Sequence, residues 1–405
     1  MSGRFGGGLR SLAAHPATHV VLLIALAVWE LRGLDMHLDL PNNDQVSYLD
    51  WALRWRLDAK APLYVAWVGT LHELWGGGAV ELFRIEKVAT TALFVSALYL
   101  GLRGVVGGLV AGVVAVHFLN LRYLVEETNG SHLFAMALYL LAIASVGRGG
   151  RRGVPSALVL LGLAALARTE LWLVALAATP VLLVWYLHGL DRQAPGREAL
   201  AWVPALGGGI LGLVVFLHRA GGTITLAAAF RHSLVVSLAE NLSDLLPGLA
   251  GYDAWVDARF LAPQLFRDDV TTWSIVRTYP TVVAMHVAAN LVQVPRAVGA
   301  LIVKYFSTAH LLAFWALALG TLALAGRGGG AGAPGTGGRP LRWPVAFLAG
   351  LTLLPLGFML VFLKVAMRYL FVLLPLLALG VAGLTAWVAG WLGRRVSRQA
   401  EHGAA

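Results

Sequence analysis

The sequence predicts an all-α polytopic membrane protein, a bundle of about ten transmembrane helices with further helices on its outer surface. Its 405 residues are 58% hydrophobic and only 13% charged, about half the charged fraction of an ordinary soluble domain. Apolar runs of spanning length recur throughout, and basic residues concentrate in alternate connections. These observations exclude disordered chains, soluble folds and nucleic-acid-binding arms. The absence of cysteine excludes disulfide frameworks, thiolate metal sites and cysteine nucleophiles.

Ten apolar segments are the predicted spans, and with their connections they form one transmembrane domain over residues 1–405. In chain order they are 17–33, 84–103, 104–120, 132–146, 154–168, 170–188, 199–218, 297–325, 342–362 and 369–392.

The charge distribution orients these spans. With ten spans and a cytoplasmic N-terminus, the inner side carries 14 Arg and three acidic residues, whereas the outer side carries 16 basic and 18 acidic residues. Cytoplasmic loops are normally enriched in basic residues, so both termini are expected in the cytoplasm. An eleventh span at 61–75 would destroy this asymmetry. That segment is therefore predicted to be a helix that lies on, or dips into, the outer surface.

The first apolar run has an alternative interpretation as a cleaved signal peptide. Trp29, Glu30 and Arg32 follow it where small residues would mark a cleavage site. We therefore expect an uncleaved membrane anchor.

Three outer segments are candidates for function. They are the first outer loop 34–83 with its juxtamembrane helices, the second outer loop 121–131, and the long loop 219–296. Loops of such length are more often functional than idle. His37, His232 and His286 show no metal-ligand spacing and are expected to make polar contacts.

Asp44 is the principal candidate in the first outer loop. The turn signal Pro41-Asn42-Asn43 precedes it, which places Asp44 at the N-cap of a helix starting near Gln45. A structural alternative is that its carboxylate only caps that helix. Tyr48 lies one helical turn further on the same face.

Glu126 and Glu127 are the acids of the second outer loop. They form either a solvated acidic loop or a second carboxylate site that converges on Asp44. Two carboxylates could divide proton transfer and metal binding between them, because divalent cations prefer oxygen ligands. A divalent ion held by Asp44 and Glu127 is thus an open option.

Basic residues on the outer side and within the membrane predict a cationic pocket for a phosphate held near the membrane. For Lys304, which is expected inside a span, snorkelling of the side chain to the interface is the alternative. The candidates are Lys60, Arg84, Lys87, Arg168, Lys304, Lys364 and Arg368.

Five short motifs, in order along the chain, resemble those of GT-C membrane glycosyltransferases, the group that includes protein O-mannosyltransferases and aminoarabinose transferases. Asp44-Gln-Val-Ser-Tyr48-Leu resembles D-E-x-x-Y-L, and Ala61-Pro62-Leu63-Tyr64 resembles P-P-L-Y. Arg84-Ile85 starts a segment like R-L-P-S-A-L, residues 161–170 resemble G-L-A-x-L-T-R-P-E, and Arg368-Tyr369 begins R-Y-x-x-x-x-x-P. The likeness omits 219–296. Gln45, Ala61 and Thr169 depart from it, and Gln45 leaves metal binding there in doubt.

The resemblance implies transfer of a sugar from a polyprenyl-phosphate carrier to a glycan, lipid or protein acceptor, on the outer face of the membrane. It implies that Asp44 is the catalytic base, that Glu126 or Glu127 is the second loop's acid, and that Arg368 contacts the carrier phosphate. It also places Tyr48, Tyr64 and Tyr369 among the substrate-binding residues. Composition rich in Ala, Gly and Arg suggests a bacterial plasma membrane. Membrane lipids are expected partners and nucleic acids are not.

Three alternatives stay open. A transporter or flippase of lipid-linked substrate is the first, although such proteins usually contain internal repeats, and none is evident here. An O-antigen-ligase-like enzyme would centre its chemistry on the later loop rather than on Asp44. A non-catalytic assembly subunit is the third.

Overall fold

The computed structural model describes residues 15–32, 43–57, 61–120, 130–188, 195–220, 234–241, 272–306, 343–362 and 367–402. All regular secondary structure in these ranges is helical.

The described ranges in the first half of the chain contain eight helices. They are α1 (Pro16–Leu31), α2 (Asn43–Leu53), α3 (Pro62–Trp75), α4 (Ala79–Val106), α5 (Gly108–Leu119), α6 (Gly130–Gly149), α7 (Val154–Ala167) and α8 (Trp172–Leu187). Short 3-10 turns at Gly150–Gly153 and Thr169–Leu171 connect α6 to α7 and α7 to α8.

The second half contributes the remaining helices of the described ranges. These are α9 (Pro195–Ala220), α10 (234–241), α11 (Thr272–Thr278), α12 (Pro280–Phe306), α13 (Trp343–Leu351), α14 (Leu353–Phe362) and α15 (Leu374–His402). A 3-10 segment, Met367–Leu373, precedes α15.

Four helical segments of the described chain are long and apolar enough to cross a membrane: Ala79–Val106, Gly130–Ala167, Thr169–Leu187 and Leu370–Leu392. Three shorter apolar segments are Pro16–Leu31, Gly108–Leu119 and Trp343–Gly357. The prediction of an all-α membrane protein is confirmed. The predicted number of ten spans is not, because several of the apolar helices are shorter than the about 20 residues that a crossing requires.

The centre of the bundle consists of α4, α6 and α7, with α6 packed between the other two. Large side chains such as Phe94, Tyr99 and Tyr139 are fully buried there. Gly101 of α4 lies so close to α6 that an added Cβ would sit 3.3 Å from the Leu140 carbonyl oxygen. Small residues at such contacts let membrane helices approach closely.

Two predicted boundaries differ from the structure. The turn expected at Arg103 occurs at Gly107, whose φ of 86° suits glycine because it has no Cβ to clash. The span expected from 297 belongs to a helix that already begins at Pro280, within the segment predicted as the long outer loop. Proline favours the first turn of a helix, where no backbone donor is lost.

The segment 61–75 forms α3, a helix of 14 residues. At about 1.5 Å per residue it is about 21 Å long, shorter than the hydrocarbon core. Seven of its residues are buried, because it packs against α2, α4 and α7. Its position at the outer surface stays a prediction.

Candidate functional site

Helix α2 carries Asp44 and Tyr48, and it begins at Asn43. Asp44 was predicted to be the N-cap before Gln45. It lies instead inside the first helical turn. An acidic residue there still complements the positive end of the helix dipole. Positions 44 and 48 are one turn apart and share a helix face. The Asp44 side chain itself lies outside the described part of the structure.

The Tyr48 side chain is buried against two aromatic rings. Its ring centroid lies 5.6 Å from that of Trp51 and 5.4 Å from that of Tyr64, both in edge-to-face geometry. Such pairs contribute about 0.5–1.5 kcal/mol beyond simple burial. The Tyr48–Tyr64 pair fastens α2 to α3, and the two pairs together fix the direction in which Tyr48 points.

Arg168 joins three parts of the chain at this point. It follows α7 in an extended conformation (φ −146°, ψ 120°), which ends the helix. Its Nε and Nη2 donate to the Glu170 carboxylate at 3.2 and 2.5 Å. Nη1 lies 3.4 Å from the Tyr48 hydroxyl and 3.5 Å from Ser131 Oγ. The Arg168 side chain is held by a buried bidentate ion pair with Glu170. Its Nη1 contacts link the α7–α8 corner to α2 and to the start of α6.

A second set of polar atoms converges on Gly130, the residue before Ser131. A Cβ added to Gly130 would lie 2.0 Å from Glu86 Oε1 and 2.2 Å from the Tyr64 hydroxyl oxygen. Glycine is required here because any side chain would overlap both groups. Both Glu86 and Tyr64 are fully buried.

These contacts define one continuous group, called here the polar cluster. Its members are Tyr48, Tyr64, Glu86, Ser131, Arg168 and Glu170, all less than 10% exposed. It surrounds the N-terminal end of α6, which begins within the segment 121–131 that is predicted as the second outer loop.

The next residue of α6 connects the cluster to the segment before α15. The His132 ring lies 4.1 Å from the Phe371 ring, centroid to centroid. Phe371 belongs to Met367–Leu373, the 3-10 segment whose backbone includes Arg368 and Tyr369. The segment carrying these two predicted substrate-binding residues therefore contacts the same end of α6 as Arg168 does.

The structure brings together Tyr48, Tyr64 and Arg168 among the predicted residues. Arg84 is exposed instead, and its Nη2 donates to the Arg32 carbonyl at the end of α1, at 2.7 Å. Lys87 is buried, with its Nζ 5.5 Å from the centre of the Phe83 ring. The remaining side chains lie outside the described part of the structure: Asp44, Lys60, Glu126, Glu127, Lys304, Lys364, Arg368 and Tyr369.

Sequence reasoning missed Glu86, Glu170, Ser131 and Gly130 as members of this site. One signal was available for Glu86, which is an ionisable residue within an apolar helix. Such residues usually face a cavity or a partner inside the protein. Nothing in the local pattern marks Ser131 or Gly130, because their role depends on the packing of α6 against α4.

Metal binding has no support within the described side chains, where no group of three or more His, Asp or Glu residues is arranged to hold an ion. The predicted pair, Asp44 and Glu127, lies outside them.

A separate buried polar network surrounds His286 of α12. Asn241 Nδ2 lies 2.9 Å from His286 Nδ1, and Asn290 Nδ2 lies 3.1 Å from His286 Nε2. Gln293 Nε2 donates to Asn241 Oδ1 at 3.2 Å. Burial lowers the pKa of His286 to about 4. The expectation of polar contacts for His286 is confirmed, and these contacts hold α10 against α12.

No family model, no curated protein and no solved structure matches the chain. The residues of the site are therefore the basis for assigning a function.

Proposed function

We propose that this protein is a GT-C-type glycosyltransferase that moves a sugar from a polyprenyl-phosphate carrier to an acceptor on the outer face of a bacterial plasma membrane. Ten spans, cytoplasmic termini and an acceptor region within 219–296 belong to the same proposal. The observation that carries it is the convergence at the N-terminal end of α6. Segments bearing all five GT-C-like motifs contribute to, or contact, this one point, since the segment that starts at Arg84 includes Glu86.

The environment suits a phosphorylated lipid substrate. Arg168 supplies a buried guanidinium that Glu170 holds in a fixed orientation, and guanidinium groups donate charge-assisted hydrogen bonds to phosphate oxygens. The N-terminal end of α6 adds partial positive charge. Arg368 lies in the segment packed against His132, which makes it the second candidate for the phosphate.

The reaction needs a base for the acceptor and stabilisation for the leaving phosphate. The acceptor oxygen forms a bond to the anomeric carbon, while the bond from that carbon to the carrier phosphate oxygen breaks. The acceptor proton passes to the Asp44 carboxylate, and the bonding electrons leave with the phosphate, which the cations stabilise. A single displacement of this kind inverts the anomeric centre.

Tyr48 and Arg168 have positioning roles in this proposal. Tyr48 lies one turn from Asp44 on the same helix face, and its hydroxyl contacts Arg168. The pair therefore couples the orientation of α2 to the phosphate-binding side. Glu126 and Glu127 are the next candidate acids after Asp44. Their segment of the chain leads into Gly130, where the polar cluster begins.

A transfer assay in detergent tests the proposal. Purified protein is incubated with a panel of radiolabelled polyprenyl-phosphate pentoses and hexoses and a cell-envelope extract as acceptor. Transfer or hydrolysis of the sugar is expected, and Asp44→Asn should reduce the rate at least about 100-fold, the low end for general-base assistance. Without separate compartments, a flippase produces no signal in this assay.

Asp50→Asn is the matched control. Asp50 lies on the same helix, half exposed, in a surface ion pair with Arg54 at 2.9 Å. Its loss should leave the rate unchanged, since exposed pairs contribute about 0–1 kcal/mol. Equal rates for Asp44→Asn and wild type would reject Asp44 as the base.

A further inference from the structure

Two arginines lie together at the end of α4 that is far from the polar cluster. Arg103 belongs to the last turn of α4 and Arg148 to the last turn of α6. The two helices approach closely beside them, because a Cβ added to Gly104 would lie 3.9 Å from the Gly147 carbonyl oxygen. The two guanidinium groups interact electrostatically with each other and with the Tyr99 side chain. Two positive charges are therefore concentrated at one point of the bundle.

Polar groups of two further helices complete this point. Tyr99 lies one turn before Arg103 on the same face of α4, and its hydroxyl oxygen is 2.7 Å from His19 Nδ1 of α1. A Cβ added to Gly108, the first residue of α5, would lie 3.4 Å from that hydroxyl oxygen and 3.7 Å from His19 Cε1. The group formed by His19, Tyr99, Arg103 and Arg148 is called here the arginine site.

The positive charge of the arginine site is not balanced by the described side chains, among which neither Arg103 nor Arg148 has a carboxylate partner. The C-terminal end of a helix carries about half a negative charge, which accounts for one arginine at each helix end. Two full positive charges against two partial negative ones leave a net positive charge. Because like charges repel, an anion bound between the two guanidinium groups would stabilise this arrangement.

The arginine site and the polar cluster lie about one membrane thickness apart. Glu86 of the polar cluster and Arg103 belong to the same helix, and they are about 25 Å apart along it at about 1.5 Å per residue. The hydrocarbon core of a bilayer has a similar thickness, about 30 Å. If one group lies at one membrane surface, the other therefore lies near the opposite surface, at the level of the lipid headgroups.

Apolar surface begins within one helical turn of the arginine site. Leu109, the residue after Gly108, is exposed on α5, and Val21 is exposed on α1 two residues after His19. In a membrane such side chains contact acyl chains. The site thus combines two cations with adjoining apolar surface, which suits a ligand that has both an anionic group and hydrocarbon chains.

We propose that the arginine site binds the phosphodiester headgroup of an anionic phospholipid, in the leaflet opposite the polar cluster. That leaflet is the inner one in the proposed topology. Arg103 and Arg148 donate charge-assisted hydrogen bonds to the phosphate oxygens, and basic pockets between membrane helices suit such headgroups. The bound lipid offsets the repulsion between the two guanidinium groups and fastens the end of α4 to the end of α6.

Native mass spectrometry in a non-ionic detergent tests this assignment. Purified protein is titrated with dioleoyl phosphatidylglycerol or with dioleoyl phosphatidylcholine, which has the same acyl chains but no net charge. Phosphatidylglycerol should bind at least about tenfold more tightly, the gain from one hydrogen bond between charged groups. Equal affinity for the two lipids would overturn the assignment. Displacement of phosphatidylglycerol by millimolar inorganic phosphate would also overturn it, because the site would then bind free anions.

Four variants locate the site. Arg103→Gln and Arg148→Gln each remove one charge and should reduce the preference for phosphatidylglycerol at least about fivefold, whereas Arg103→Lys keeps the charge and should retain most of it. Arg151→Gln is the control, since Arg151 is an exposed arginine of the next turn whose guanidinium lies instead 6.0 Å from the Trp185 ring. Its preference should equal that of wild type. An equal loss in the Arg151 variant, or no loss in the first two, would reject the site.

Failure of the lipid site and failure of the proposed enzyme are separable. Asp44→Asn should bind phosphatidylglycerol as wild type does while transferring no sugar. If the arginine variants keep the full lipid preference and wild type transfers sugar, the lipid site is rejected and the glycosyltransferase stands. If the lipid preference follows Arg103 and Arg148 but no donor supports transfer, the lipid site stands and the proposed activity is rejected.

Discussion

The ion pair between Arg168 and Glu170 allows a quantitative test of the polar cluster, through the free energy of unfolding of variants that lack one or both partners. Arg168→Met removes the guanidinium and leaves the Glu170 carboxylate, which is 8% exposed, without its cation. Breaking one partner of a buried pair typically costs about 3–5 kcal/mol. Glu170→Leu should cost a similar amount, because it leaves the guanidinium without its carboxylate.

The double variant separates the pair from its surroundings. Replacing both members of a buried ion pair by apolar residues is often neutral or stabilising. Arg168→Met combined with Glu170→Leu should therefore be close to neutral, giving a coupling energy of about 6 kcal/mol, the sum of the two single costs at their lower end. Sugar transfer should not recover, since the guanidinium that contacts Tyr48 and Ser131 is gone.

Unfolding by denaturant in mixed micelles measures these free energies, and the detergent transfer assay follows activity. The surface pair Asp50–Arg54 is the reference cycle. Its side chains are 45% and 67% exposed, so its coupling should be at most about 0.5 kcal/mol. A coupling energy below about 1 kcal/mol for Arg168 and Glu170 would refute their description as a buried, mutually dependent pair. Recovery of sugar transfer in the double variant would refute the proposed role of Arg168 in the reaction.

Two further predictions concern single positions. Gly130→Ala should destabilise the protein by about 1 kcal/mol or more and impair transfer, because the added Cβ overlaps Glu86 and Tyr64 and overpacking costs about 1–3 kcal/mol. Gly112→Ala is the control in a thermal unfolding assay, since Gly112 has open space around it. Equal behaviour of the two variants would contradict the prediction. The pKa of His286, about 4 in the folded protein against about 6.5 unfolded, means that the unfolded chain binds the proton first, so stability should fall as pH drops from about 6.5 to 4. Hydrogen exchange of residues 234–241 and 280–296 measures this loss of stability, and His286→Gln should abolish it. Stability that rises on acidification would contradict the prediction, because it would indicate an imidazolium held by the amide oxygens of Asn241 and Asn290.

Hydropathy and charge predicted the helical membrane class and many helix positions. Segment 17–33 corresponds to Pro16–Leu31 and segment 170–188 to Thr169–Leu187, because each is a continuous apolar run. The break between the second and third apolar segments was placed at Arg103 instead of Gly107, because hydrophobic residues continue on both sides of Gly107. The early start of α12 was missed because His286, Asn290 and Gln293 look like loop residues until they pair with Asn241.

The site was predictable only in part. Tyr48 was predicted from its helical spacing to Asp44, Arg168 from the set of basic residues, and Tyr64 from motif resemblance. The structure brings the three together. Glu86 and Gly130 could not be assigned a partner from sequence, since their proximity depends on how α4 and α6 cross. Residue spacing along one helix says nothing about contacts between helices that are distant in the chain.

The central claim is that Asp44, Glu127 and Arg368 meet a lipid-linked sugar on the outer side of the membrane. Because the chain has no cysteine, Asp44→Cys, Glu127→Cys and Arg368→Cys can each be labelled singly in intact cells with a membrane-impermeant thiol reagent. Labelling of all three from outside, with protection by added polyprenyl-phosphate sugar, is the predicted result. Labelling only after the cytoplasm is opened, or labelling that the lipid leaves unchanged at all three positions, would contradict it.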